Sequence, residues 1–233
     1  MKRIMALLAA LMILTAGWAA AEKDYSVIEN AVAYMDCTFE CGCRRGGLGT
    51  MVGKNALITA AHNLYCSDHA KPLRTAIFYF GYKGNGKCTY KYSGKVTFTV
   101  YDTFSNGYRS ENDIGYVIFP SNIVNRTGCY GTMVTTDHDL EWEYSHVVGA
   151  RNDKIIELFD QIDVHSDKQI TFPITSEFYD AAAGGPVYWF WEDMDGPYMV
   201  AVYTSRTKTQ GFARRLTNNI INDMKDSGAE FFD

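Results

Sequence analysis

Leu57-Ile58-Thr59-Ala60-Ala61-His62 is the stretch from which the rest of the chain can be read. Apolar and β-branched residues build a short strand, two alanines follow with almost no side-chain bulk, and then comes an ionisable ring. Upstream, Leu48 to Val52 is a second β-run containing Gly49-Thr50-Met51-Val52, and Gly53-Lys54-Asn55 supplies the turn between the runs. A hairpin of this kind carries His62 to the end of a strand, while Ala60 and Ala61 let a neighbouring backbone pack closely behind it. A histidine after a strand is by itself more often structural than chemical, so its companions decide what it does.

Outward from this hairpin, short β-runs recur with turn signals between them. Ile77 to Tyr82 is aromatic and β-branched, and Gly84-Asn85-Gly86 closes it. Lys95 to Tyr101 alternates with Val96, Phe98 and Val100 on one face, and Ile114 to Phe119 stops at Pro120. Val147 to Gly149, Ile155 to Phe159, Ile170 to Phe172, Val187 to Trp191 and Met199 to Tyr203 continue the pattern. One stretch reads as a helix: Leu216, Ile220, Ile221 and Met224 share a face, and Gly228 is a stop. Frequent glycine, abundant aromatics and scarce helical periodicity indicate an all-β barrel or sandwich. A soft boundary lies around Ser121 to Gly128, and Asn125-Arg126-Thr127 is a glycosylation sequon.

The first residues read as a targeting segment. Lys2 and Arg3 are positive, Ile4 to Gly17 is apolar but short for a membrane span, and Ala19-Ala20-Ala21 offers small residues for cleavage. A signal peptide over residues 1–21 and a secreted product with no membrane association after cleavage are the expectation. The remainder, about 212 residues, suffices for one compact domain or two packed halves. A net charge of −5 with no basic stripe argues against a nucleic-acid partner.

Two further fragments follow His62. Asn112-Asp113-Ile114-Gly115-Tyr116-Val117 places an aspartate at a strand start, and Ala181-Ala182-Ala183-Gly184-Gly185-Pro186 is a small-residue loop. In this order the three resemble the histidine, aspartate and nucleophile segments of the trypsin-like (chymotrypsin-fold) serine proteases, and the resemblance runs from about Leu48 to Asp226. Compact length leans towards the glutamyl-endopeptidase-like bacterial branch. The resemblance implies two packed six-stranded antiparallel β-barrels with a C-terminal α-helix, divided as residues 22–125 and 126–233, and a monomer that needs no cofactor. It also implies a catalytic histidine at His62 and an aspartate at Asp113 that orients it and stabilises its charged ring.

The third segment departs from the family. Relatives read Gly-Asp-Ser or Gly-Asn-Ser before Gly-Gly-Pro, and this chain reads Ala-Ala-Ala. Ala183 thus stands at the nucleophile position, and Ala181 with Ala183 at the two amides of the oxyanion hole. A methyl group cannot attack a carbonyl, and Thr175 and Ser176 lie too far upstream to replace it without a rebuilt loop. Ala181 replaces a glycine whose backbone would be costly for a Cβ, which suggests a relaxed loop. The substrate-binding candidates are Glu177, six residues before Ala183, and Tyr203, Thr204 and Ser205 on a strand whose edge can pair with an extended peptide. Glutamyl endopeptidases carry a histidine near Tyr203, so its absence weakens an expectation of acidic specificity.

The reading is an inactive protease homologue with an extended peptide or protein segment as its partner in the inter-barrel cleft. The alternatives are an active serine endopeptidase in disabled form and a secreted β-rich interaction module. Six cysteines, Cys37, Cys41, Cys43, Cys66, Cys88 and Cys129, all fall in the first 129 residues. Export makes disulfides the default, with 15 possible pairings. Cys37-x3-Cys41-x-Cys43 does not have the spacing of a zinc ribbon and no histidine repeat accompanies it, so no metal is expected. The family resemblance offers Cys41 or Cys43 as the partner of Cys66. Beyond Cys129 the chain has no cysteine, and that part must be held by its core alone.

Overall fold

The computed structural model describes residues 29–105, 110–141, 143–152, 154–191 and 194–232. The expected signal peptide lies outside the described residues. The first half contributes β1 (Val32–Phe39), β2 (Arg44–Met51), β3 (Ala56–Thr59), β4 (Tyr65–Cys66), β5 (Lys71–Phe80), β6 (Tyr90–Tyr92), β7 (Thr97–Val100) and β8 (Gly115–Ile118). They form one antiparallel sheet in the order β4-β5-β1-β2-β3-β8-β7, with β6 against β5. The second half contributes β9 (Gly131–Thr132), β10 (Tyr144–Arg151), β11 (Lys154–Gln161), β12 (Asp163–Val164), β13 (Gln169–Pro173), β14 (Pro186–Phe190), β15 (Pro197–Arg206) and β16 (Gln210–Arg215). Its order is β11-β10-β14-β15-β16-β13-β12, with β9 running parallel to β15.

The fold class matches the expectation: two curled, mainly antiparallel β-sheets followed by a C-terminal helix. Each sheet has eight strands rather than six, the difference being made by strands of two or three residues such as β4, β6, β9 and β12. Such pieces pair over too few residues to leave a periodic signal. Strand β1 has a clear one: Met35, Cys37 and Phe39 face inwards while Tyr34, Asp36 and Thr38 are partly exposed. The helix spans Asn218–Asp226, is capped by the Thr217 side chain, buries Ile220 and Met224, and is followed by Gly228 at φ +93°.

The first sheet wraps an aromatic core. Phe78 and Tyr92 meet Phe119 edge-on, with ring centroids 5.1 and 4.9 Å away. In the second, Tyr203 packs against Phe172 and Phe178 at 5.7 and 5.2 Å, with Val187, Val200 and Ala213 around them. Each fully buried ring of this kind contributes roughly 2–3 kcal/mol. That is how the part of the chain beyond Cys129 is held without cysteines.

Candidate active site

His62 and Asp113 come from adjacent strands. Strands β3 and β8 are antiparallel, with Thr59 opposite Gly115. His62 lies three residues beyond the end of β3, in the 3₁₀ turn Ala61–Asn63, and Asp113 two residues before β8 begins. Antiparallel pairing puts both at the same end of the sheet. Gly115 permits the close approach: a Cβ there would sit 3.6 Å from the Ala61 Cα and only 2.7 Å from the Thr99 carbonyl oxygen. The small Ala60 and Ala61 are fully buried.

Both oxygens of Asp113 are used. Oδ1 accepts from the His62 backbone N–H at 2.9 Å, and Oδ2 lies 2.7 Å from His62 Nδ1. Asp113 is completely buried, whereas the His62 side chain keeps 16% of its surface exposed. The carboxylate therefore fixes both the backbone and the ring, leaving Nε2 on the side away from Asp113. Arg45 Nη1 donates to the His62 carbonyl at 3.0 Å. His62, Arg45, Ser67 and Thr204 line a cavity of ≈ 390 Å³. Neither Arg45 nor Ser67 stood out in the sequence, because nothing local marks a residue that reaches the cleft from another hairpin.

The 181–186 loop bridges the two sheets. Leu48 N–H on β2 donates to the Ala183 carbonyl at 2.8 Å, and Asn63 Nδ2 donates to it at 3.2 Å. Gly184 N–H donates to Tyr203 O at 2.7 Å, and Tyr203 N–H to Gly185 O at 2.9 Å. Gly184 has φ +101°, and a Cβ there would lie 2.0 Å from the Leu48 carbonyl oxygen. At Gly185 a Cβ would lie 2.1 Å from the Val148 carbonyl oxygen. The two glycines are thus required by backbone packing, whatever stands at position 183.

The alanines are arranged differently. Ala182 forms an isolated antiparallel bridge with Ala150, its N–H donating at 2.6 Å. Ala181 N–H donates to Phe178 O at 3.0 Å, closing a turn within the chain. Ala181 is absent from the residues with positive φ, and Ala181 and Ala183 are partly buried against the second core. One of the two amides expected in the oxyanion hole is therefore engaged internally.

The remaining candidates scatter. Tyr203 and Thr204 are buried beside the loop, and Ser205 follows at a bulge in the β15–β16 pairing. Strand β14 accompanies β15 only to Val202, and Gly184 and Gly185 carry the contact to Tyr203. Beyond it, Thr204 to Arg206 pair with no strand on that side among the described residues. Glu177 is exposed, and its carbonyl, like that of Ser176, accepts from Arg151 Nη1 at 2.8 Å. Its side chain does not line the His62 cavity. Thr175 Oγ1 accepts from Phe178 N–H at 3.3 Å and so serves the turn that holds Ala181. Arg206 bonds Asp180 at 2.9 Å and lies over the Tyr179 ring, a closure that sequence alone did not indicate.

No protein-family model matches the chain. Among curated proteins it is 24% identical over 204 residues to "Extracellular metalloprotease" of Bacillus subtilis (strain 168), covering 86% of this chain and 62% of the relative. The chain thus spans less than two thirds of that relative's length, and it contains no His-Glu-x-x-His run. Solved structures agree on the fold. A thermostable serine protease AL20 from an extremophilic microorganism superposes with TM-score 0.69 at 11% identity, over 86% of this chain and 98% of that one. A Glu endopeptidase gives 0.67 at 16%, over 85% and 90%. The protease Anisep of Arthrobacter nicotinovorans gives 0.66 at 14%, over 86% and 95%. The chain has the fold of the chymotrypsin-like serine proteases.

Proposed function

We propose that this chain is an exported, catalytically inactive homologue of trypsin-like serine endopeptidases whose inter-barrel cleft binds an extended peptide or protein segment. The observation that carries the reading is an intact His62–Asp113 pair beside a loop with Ala183 in the nucleophile position. His62 is the former general base and Asp113 its orienting partner. Ala181 and Ala183 are the former oxyanion amides. Thr204 and Ser205, following Tyr203, offer the strand edge on which a peptide would be laid. Residues 1–21 are its leader, 22–125 and 126–233 its two halves, and the exported product is a monomer. No helix among the described residues is long and apolar enough to cross a membrane. The reading leans towards the bacterial glutamyl-endopeptidase branch. Glu177 is a weak specificity residue because it is exposed.

Removing a nucleophile leaves at best the residual acceleration of binding and oxyanion contacts, on the order of 10³–10⁴ over water. With Ala181 N–H held by Phe178, even that residue of activity is reduced. The test compares Ala183→Ser with Ala181→Gly/Ala183→Ser for fluorophosphonate labelling and peptide hydrolysis. The single variant is expected to stay unlabelled. Efficient labelling and turnover by the single variant would overturn the inactive reading and make the chain a disabled form of a working enzyme. Binding of extended peptides to the unaltered protein, read by fluorescence anisotropy, tests the cleft. Its loss on Thr204→Pro, which blocks the strand edge, is the expected result.

A further inference from the structure

We propose that Cys41, Cys43, Cys66 and His69 hold one zinc ion in a closed tetrahedral site that ties the β1–β2 turn to the β4–β5 turn. The four ligand atoms lie within 4.8 Å of one another. His69 Nδ1 is 3.5 Å from the Cys43 sulfur and 3.5 Å from the Cys66 sulfur. Zinc bonded at about 2.3 Å to sulfur and about 2.0–2.1 Å to nitrogen has a tetrahedral sulfur–nitrogen edge of roughly 3.5–3.6 Å. The imidazole already stands at that edge from two of the three sulfurs.

The local backbone explains the convergence. Cys41 and Cys43 flank Gly42, whose φ of +87° forms the tight turn between β1 and β2. That turn is closed by Phe39 N–H on Cys43 O at 3.0 Å and Gly42 N–H on Phe39 O at 2.9 Å. Cys66 ends β4, and His69 lies in the turn that returns at Lys71, beside Ala70 at φ +49°. Ala70 is a non-glycine residue in the left-handed region, a conformation that costs about 1 kcal/mol or more and persists only when its surroundings hold it. Glu40 N–H donates to Pro72 O at 3.0 Å, so the two turns are fastened side by side. Cys-x-Cys comes from one turn and Cys-x-x-His from the other.

A disulfide fits this cluster less well. It would join two of three sulfurs and leave the third thiol and the imidazole with nothing to bind. Zinc engages all four. Cys37, the residue that the sequence grouped with Cys41 and Cys43, is separate: it is fully buried in β1, and burial pushes its thiol up to about 12. His69 is the ligand the sequence reading lacked: the spacing Cys66-x-x-His69 was there to be read, but only the hairpin packing brings it to Cys43, 26 residues away. Three thiolates and a neutral imidazole around Zn²⁺ carry a net charge of −1, with Arg44, Arg45 and Lys71 adjacent in sequence. Four protein ligands leave no open position, so the ion is structural and not hydrolytic. It would stabilise the wall of the cleft, since Ser67, the neighbour of Cys66, lines the cavity with His62.

The test uses the full exported chain, purified without chelator from zinc-supplemented medium. Elemental analysis should give about one zinc per chain, and Cys41, Cys43 and Cys66 should alkylate only after chelation. Co²⁺ exchanged into the site should show the absorption of tetrahedral thiolate coordination. His69→Ala alters an exposed side chain and should fold, with zinc affinity at least about 100-fold lower, beyond the roughly 10–100-fold typical of outer partners. His69→Cys should restore one equivalent of metal. A Cys41–Cys66 or Cys43–Cys66 disulfide at full occupancy in the exported protein would overturn the proposal. So would failure of the reduced, folded protein to take up Zn²⁺ or Co²⁺. None of these readouts depends on the state of position 183.

Discussion

At the His62 end of the cleft, side chains do the holding: both oxygens of a fully buried Asp113 accept from the backbone and ring of one histidine. In the 181–186 loop, positions 181 to 183 carry only methyl groups, and it is the loop's backbone that is held, by Leu48, Tyr203 and the Asn63 amide. The difference teaches what each segment does for the fold. Asp113 and Gly184 have structural duties that hold whether or not the chain is active. Residues 181–183 carry no hydroxyl, and the Ala181 N–H is bonded to the Phe178 carbonyl.

The strongest attempt to break this comparison is Gly184→Ala. Its Cβ would meet the Leu48 carbonyl oxygen at 2.0 Å with φ at +101°. A loss of about 3–5 kcal/mol is expected, shifting the melting temperature by roughly 10 °C or more. A shift below about 2 °C would show that the loop does not bridge the sheets as described. Next is Asp113→Ala, which leaves the His62 N–H and ring N–H without their acceptor. It should cost about 2–4 kcal/mol in urea unfolding, whatever the activity of the chain. A near-neutral result would make the dyad a relic without structural duty.

Ala181→Gly sharpens the loop side. With an ordinary φ, Ala181 should be more stable than glycine by about 0.5–1 kcal/mol. Stabilisation by glycine would mean that the backbone still wants the conformation of an active oxyanion loop. The smallest effect concerns pH in the second sheet. Burial opposes ionisation of Glu157, but hydrogen bonds from His146 and Tyr188 outweigh it and hold the carboxyl below its usual range. A depressed folded value adds stability above the unfolded value, near pH 4.3, and loses it as pH falls through the folded value. Solvent screening at this half-exposed side chain keeps the effect under about 1 kcal/mol. Glu157→Gln should therefore flatten the acid limb of the stability profile between about pH 5 and pH 3, read by denaturant midpoints.

Much of the fold was legible because its signals are local. The β3 run ending at His62, the alternation of β7, the Gly-Gly-Pro turn and the stripe of the C-terminal helix each lie within a dozen residues. Strand β1 escaped although it alternates cleanly, because the polar Asp36 and Thr38 interrupt its apolar run. Strand β16 escaped for a similar reason, since Arg214 and Arg215 end it, yet both are buried. Their guanidinium groups reach carbonyls of Lys168, Ser166 and Thr135 on distant turns.

The sequence by itself determined the class of fold, singled out His62 and Asp113 as candidates, and shows no hydroxyl at position 183. Those follow from residue type and short-range pattern. Only the tertiary structure decided that the Ala181 amide turns onto Phe178, that Arg45 and Ser67 join His62 at the cleft, and that His69 meets three cysteines from two hairpins. Such meetings depend on strand register and on turns packed side by side, and chain separation carries no record of them.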